Sequence, residues 1–286
     1  RTEDLIPGII EVMPRNTTDQ IKKHKRPSFM WGASVSTHQV EGGNHNQWSI
    51  WELEMAQQQA SKAQERYGQL ANWAEIKHEA SKPENYVSGR AADHFKNYES
   101  DFDIAQKLHL NTIRSGIEWS RIEPEEGGFD AAALKHYQKY FNSLKTRGIT
   151  PVVTLWHWTF PEWFAAKGGF LKRKNIKFFS RYVKFIVDNL GVEFEYIITI
   201  NEPTVYTTMS YFEKRWPPQQ SSMVNALRVL INLASAHKKS YRLIKKAMPN
   251  SQIGLAHNCS YFYSNDKKAF SKLFVSISHK LGNEFF

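Results

Sequence analysis

Glu195-Tyr-Ile-Ile-Thr-Ile-Asn-Glu-Pro203 is the stretch whose reading decides the fold. Tyr196 to Ile200 make a short, β-branched apolar run, as expected of a strand covered on both faces rather than one alternating between core and water. Polar Asn201 and Glu202 follow at once, and the next residue is Pro203. Proline disfavours right-handed helical backbone in the residue before it, which predicts an extended Glu202 that ends the strand and aims its carboxyl. Similar runs lie at 29–36 (Phe-Met-Trp-Gly-Ala-Ser-Val-Ser), 111–117, 150–156 and 252–257. Between them the period changes. Phe95, Tyr98, Phe102, Ala105 and Leu108 recur at helical spacing over 94–109. Further helices are predicted over 130–147, stopped by Gly148, over 175–189, closed by Gly191, and over 222–247 and 265–285.

The order is strand then helix, five times over, with every strand read as buried on both faces. That pattern predicts an α/β fold with a parallel sheet covered by helices. An open doubly wound sheet and a (β/α)₈ TIM barrel both satisfy it. No Gly-rich phosphate turn follows the first strand, where Gly32-Ala-Ser-Val-Ser stands. Polar and aromatic residues gather instead just past successive strand ends, at Gln39–Glu41, Arg114–Glu118, Trp156–Trp158 and Asn201–Glu202. A site assembled from consecutive strand ends is the logic of a barrel. Five strands do not close one. At roughly 40–55 residues per unit, three more units need about another 120–160 residues, so an incomplete barrel of about five of eight βα units is expected. The polar residues 1–28, with four Pro/Gly breakers, read as an N-terminal arm. Residues 29–286 read as the partial barrel, with 52–92 as an insertion in its first strand-to-helix connection.

Composition narrows the function classes. Apolar residues make up 41% of the 286 and charged residues 23%, the balance of a folded globular chain rather than a disordered one. Mean hydropathy is −0.55 and no window nears the roughly 18 apolar residues of a membrane span, so no membrane partner is expected. Arg1 to Ile10 lack the order of a signal peptide. The single cysteine, Cys259, permits no internal disulfide, so a reducing, cytoplasmic location is the simpler expectation. The net charge of +10 raises nucleic acid as a partner. It is scattered, however, over short groups (Lys22–Arg26, Lys172–Lys177, Lys238–Lys246, Lys267–Lys272) that suit solvated helix faces, and no nucleic-acid partner is expected. Nine Trp in a chain that is 14% aromatic suit a pocket where sugar rings stack.

Several motifs share one resemblance. Phe29-Met-Trp-Gly-Ala-Ser-Val-Ser-Thr-His-Gln-Val-Glu-Gly42 is similar to the N-terminal signature of glycoside hydrolase family 1. So, in family order, are Trp48-Ser-Ile-Trp-Glu52, Asp93-His94, Arg114-Ser-Gly-Ile-Glu-Trp-Ser-Arg121, Thr154-Leu-Trp-His-Trp-Thr-Phe-Pro161, Thr199-Ile-Asn-Glu-Pro203 and Trp216-Pro-Pro218. The resemblance covers nearly all of the chain from about residue 28. It implies a (β/α)₈ barrel that hydrolyses β-glucosides or related β-glycosides and oligosaccharides with retention, using neither metal nor cofactor. Glu202 matches the family's acid/base, which protonates the leaving oxygen and then activates water. Gln39, His157 and Asn201 match ligands of the glycone hydroxyls, with Trp158 beside them. Arg114 matches the arginine that steadies the nucleophile carboxylate as an anion.

The departures matter as much. Retention needs two carboxyls roughly 5–5.5 Å apart. The family supplies the second from a Glu-Asn-Gly-type strand late in the barrel, and no such segment occurs here. Glu41, Glu118 and Glu162 do not occupy that position and read as structural. Thr159 stands where many members have Asp. Two function classes therefore remain: a retaining β-glycosidase present as a fragment, inactive or nearly so by itself, and a truncated, non-hydrolytic sugar- or partner-binding protein. In either, exposed edge strands are open to association.

Overall fold

The computed structural model describes residues 29–190, 194–266 and 268–284. The arm expected over 1–28, and Gly191 as a helix stop, lie outside them. Five strands form one sheet: β1 (Gly32–Ser34), β2 (Thr112–Gly116), β3 (Thr150–Thr154), β4 (Tyr196–Asn201) and β5 (Gln252–Ala256). They pair in chain order β1-β2-β3-β4-β5, every pair parallel. A doubly wound sheet reverses its strand order at a switch point. No reversal occurs here, and a strictly sequential parallel sheet with a helical crossover after each strand is the start of a barrel.

The helices are α1 (Thr37–Val40), α2 (Gln47–Ser61), α3 (Ala63–Tyr67), α4 (Trp73–Ala80), α5 (His94–Lys107), α6 (Trp119–Ile122), α7 (Ala131–Thr146), α8 (Glu162–Ala166), α9 (Ile176–Asn189), α10 (Pro203–Thr207), α11 (Met223–Ala247) and α12 (Ala269–Asn283). Local chemistry sets the boundaries of the long ones. Asp130 caps α7 by accepting from the Ala133 N–H at 2.9 Å. Gly148 ends it at φ +71°, a left-handed stop that costs a glycine no steric strain. Asn46 and Ser49 cap α2 reciprocally. In α9, Ile176, Phe179, Val183 and Ile186 return to one face and are fully or almost fully buried. With α7 and α11, that face closes a core built on Tyr137, Phe141, Val153, Trp156, Tyr182 and Leu233.

Two expectations fail. The outer strands are not buried on both faces: β1 is exposed along its length and β5 is only half-buried. Among the described residues each pairs with a single neighbour, β2 and β4 respectively, so one side of each lacks there the cover that makes the middle strands dry. The segments just past the strand ends are also more helical than their sequences suggest. α1, α6, α8 and α10 are one-turn helices of four or five residues, too short to carry a period. A π-turn over Thr208–Phe212 continues α10. No helix among the described residues is long and apolar enough to cross a membrane.

Candidate active site

The ends of β2, β3 and β4 meet on one side of the sheet. The Asn201 N–H donates to the Trp156 carbonyl at 2.9 Å, and the Glu202 N–H to the Ala256 carbonyl at 2.8 Å, so the ladder runs on past the strands. Glu202 then departs from its predicted extended backbone and sits at φ +40°, ψ +62°. Pro203 and α10 together supply the physical reason. Proline disfavours only the right-handed helical region for Glu202. The left-handed region lets the Glu202 carbonyl accept from the Tyr206 N–H at 3.0 Å and start α10 immediately. A non-glycine residue there stores on the order of 1–3 kcal/mol of strain, a feature concentrated at functional sites.

Asn201, 2% exposed, organises the cluster. Its Oδ1 accepts from an Arg114 guanidinium nitrogen, and its Nδ2 lies 3.0 Å from His157 Nε2 and 3.5 Å from a Glu202 carboxylate oxygen. Arginine only donates, which fixes which end of the amide faces it. The NH₂ end must then face His157, so Nε2 accepts and the imidazole proton sits on Nδ1. That Nδ1 is buried without a hydrogen-bond partner. Burial and the nearby Arg114 charge push the His157 pKa down to about 3, so the ring is neutral. Arg114 is itself tied by Nε to Thr154 Oγ1 at 3.1 Å. Burial lowers its pKa, and the Glu202 carboxylate opposes that shift, which places the two charges in each other's field.

Trp158 completes the group from a second left-handed position, φ +73°. Its indole N–H donates to the Asn201 carbonyl at 3.0 Å, and its own carbonyl accepts from Gln47 Nε2 at 2.9 Å. Its ring packs on Trp216 (centroids 4.5 Å apart) and stacks on Trp48 (6.4 Å). Glu202, Asn201, His157, Trp158 and Arg114 thus come together. Gln39 does not join them by any hydrogen bond: it is exposed on α1 and its side chain is unpaired among the described residues. Sequence reading gives no role to Thr154 or Gln47. The first looks like one more β-branched strand residue, and the second bonds across more than a hundred residues, which no local pattern marks.

The other carboxyls are held elsewhere. Glu41 is buried against Arg121 (2.9 Å) and the Tyr137 hydroxyl (2.8 Å), and burial raises its pKa to about 8. Glu118 is buried among hydroxyls, and Glu162 is exposed, 3.7 Å from His45. Among the described residues no three His, Cys, Asp or Glu side chains are grouped to hold a metal ion.

This arrangement matches known proteins along most of its length. The profile described as Glycosyl hydrolase family 1 fits residues 21–286. The chain belongs to that family. It is 29% identical over 262 residues to beta-glucosidase A of Acetivibrio thermocellus, covering 90% of this chain and 54% of that protein. Against beta-glucosidase A of Thermotoga maritima the identity is 27%, covering 89% and 53%. Among solved structures, the beta-glycosidase from Pyrococcus horikoshii superposes with a TM-score of 0.75 at 32% identity, over 90% of this chain and 54% of that one. The family 1 glucosidase of T. maritima in complex with isofagomine lactam gives the same TM-score at 25% identity. The chain therefore spans about half the length of the relatives it matches, and its fold is an incomplete (β/α)₈ barrel.

Proposed function

We propose that this family 1 chain carries the acid/base half of a retaining β-glycosidase site acting on β-glucosides or related β-glycosides. One observation carries the reading: the Glu202 carboxyl leaves a strand end beside Asn201, His157 and Arg114, side chains delivered by three adjacent strands. Glu202 protonates the leaving oxygen and later draws a proton from water. His157, kept neutral and set beside Asn201, stands as a ligand of a glycone hydroxyl. Asn201 holds its tautomer, and Gln39 and Trp158 line the same glycone. Arg114 supplies positive charge that favours an ionised nucleophile. The nucleophile belongs to a strand outside these 286 residues, and residues 52–92 are an insertion bordering the site. The chemistry uses two carboxyls and no cofactor.

The reading makes a paired expectation. The 286 residues assayed alone turn over aryl β-glucosides at background, and Glu202→Gln changes nothing further. In a polypeptide that also carries the remaining strands, Glu202→Gln slows glycosides with poor leaving groups by about 10²–10⁴-fold. It has far less effect on forming the glycosyl-enzyme from a dinitrophenyl glycoside, whose leaving group needs no proton. Equal loss on both substrates would remove Glu202 from the acid role. Burst-type turnover by the 286 residues alone would overturn the assignment of the nucleophile to another strand. Exposed β1 and half-buried β5 favour a second reading, a partner-binding protein, and concentration-dependent association of this chain at its sheet edges is the measurement that bears on it.

A further inference from the structure

Glu118 is 1% exposed and takes no part in the chemistry above, yet four side chains from four segments converge on it. One carboxylate oxygen accepts from the Thr37 hydroxyl at 2.8 Å and from the Thr159 hydroxyl at 2.8 Å. The other accepts from Ser120 at 2.9 Å and from Asn46 Nδ2 at 3.5 Å. The positions of these partners explain why this matters. Thr37 is the first residue of α1, which carries Gln39. Asn46 caps α2, whose first residue, Gln47, clamps the Trp158 carbonyl and, through Oε1, the Phe160 N–H at 2.7 Å. Thr159 directly follows Trp158, a large residue held in left-handed backbone. Two routes from a single buried carboxylate therefore end on Trp158, and a third ends beside Gln39.

We infer that Glu118 is a positioning residue: it locks the loops after β1 and β3 to the end of β2, and so sets where Trp158 and Gln39 stand. Its role as a glycone-site organiser rests on the glycosidase reading; its hold on Trp158 does not. A carboxylate suits the post because it only accepts, and all four partners donate to it. A buried hub fully supplied with donors fixes one arrangement, whereas a partly supplied one does not.

The test labels the protein with 5-fluorotryptophan and follows its ¹⁹F spectrum, with the Trp158 signal assigned by Trp158→Phe. Thr159→Val, which removes one hydroxyl, is expected to move the Trp158 signal by more than its linewidth and leave that of Trp73, on α4, in place. Thr159→Ser restores the donor and the wild-type position. Glu118→Ala moves the same signal, and Thr159→Val adds no further shift in that background. An unmoved Trp158 signal in folded Thr159→Val, a Thr159→Ser spectrum like that of valine, or fully additive shifts would each overturn the inference. If Glu118→Ala does not fold, the valine–serine pair at 159 decides alone. Titration of the wild type with glucoimidazole separates the two layers. A shift coupled as expected but without sugar-mimic binding keeps Glu118 as organiser and sinks the glycone role, while absent coupling sinks Glu118 whether or not the probe binds.

Discussion

α9 and α12 are both amphipathic helices and meet opposite fates. In α9, Ile176, Phe179, Val183 and Ile186 are almost completely buried. In α12, Phe270, Leu273, Phe274 and Ile277 also gather on one helical face, yet Phe270 is 77% exposed and Phe274 64%. The strands repeat the contrast, with β3 and β4 mostly sealed and Gly32–Ser34 of β1 open. An amphipathic period says which face of an element seeks cover; it does not say that cover is present. Neighbours decide that. Substitution should make the contrast measurable. Phe179→Ala removes a side chain with no exposed surface and is expected to cost about 3–5 kcal/mol in a denaturant melt. Phe274→Ala, matched in chemistry, should cost less than about 0.5 kcal/mol. Similar costs at the two positions would mean that α12 is as well packed in solution as α9.

The polar centre differs from the polar surface in the same way, and pH exposes the difference. His157 has a folded pKa near 3 against an ordinary value of 6.5. As pH falls below 6.5 the unfolded chain binds a proton that the folded site refuses, so stability is present above that value and is lost as pH drops toward 3. Between pH 7 and 5 this one ring should account for about 2 kcal/mol of lost stability. Half-buried His136, pushed to about 4, and His237, also lowered, act with the same sign, so the comparison needs a variant. His157→Gln should lose about 2 kcal/mol less than the wild type over that interval. Parallel pH profiles for the two proteins would show that the folded ring takes up a proton as readily as the unfolded one, and the neutral tautomer assigned through Asn201 would fall with it.

The sequence made the middle of the molecule legible because two independent periods coincide there. The strand runs near 111, 150, 195 and 252 and the helices over 130–147, 175–189 and 222–247 reappear within a few residues. Arg114, His157, Asn201 and Glu202 lie within three positions of a strand end, where register brings them together; Trp158, four past the end of β3, is held by Gln47 and the Asn201 carbonyl. What stayed hidden depends on longer-range or subtler physics. One-turn helices have no period to read. The left-handed backbone of Glu202 comes from the demand of α10 for an immediate start, which outweighs the extended bias a following proline imposes. Gln47 acts across the fold through two side-chain hydrogen bonds and Thr37 through one, and polar residues of their kind at helix starts are ordinarily caps and nothing more.

Gln39 makes the comparison sharpest, because it alone among the site residues is unanchored. Asn201 cannot be changed without stranding Arg114 and His157, so any loss of ligand affinity at that position is entangled with loss of fold. Gln39 is exposed and its side chain has no partner among the described residues, so Gln39→Ala should shift stability by less than about 0.5 kcal/mol. If the amide instead serves to hold a sugar hydroxyl, the same change should weaken binding of a glucoimidazole probe by roughly tenfold, the loss of about one hydrogen bond. A calorimetric titration beside a thermal melt reads both quantities from one sample. Full affinity in Gln39→Ala would leave the side chain with neither a structural nor a binding duty, and would confine glycone recognition to the anchored group at the ends of β3 and β4.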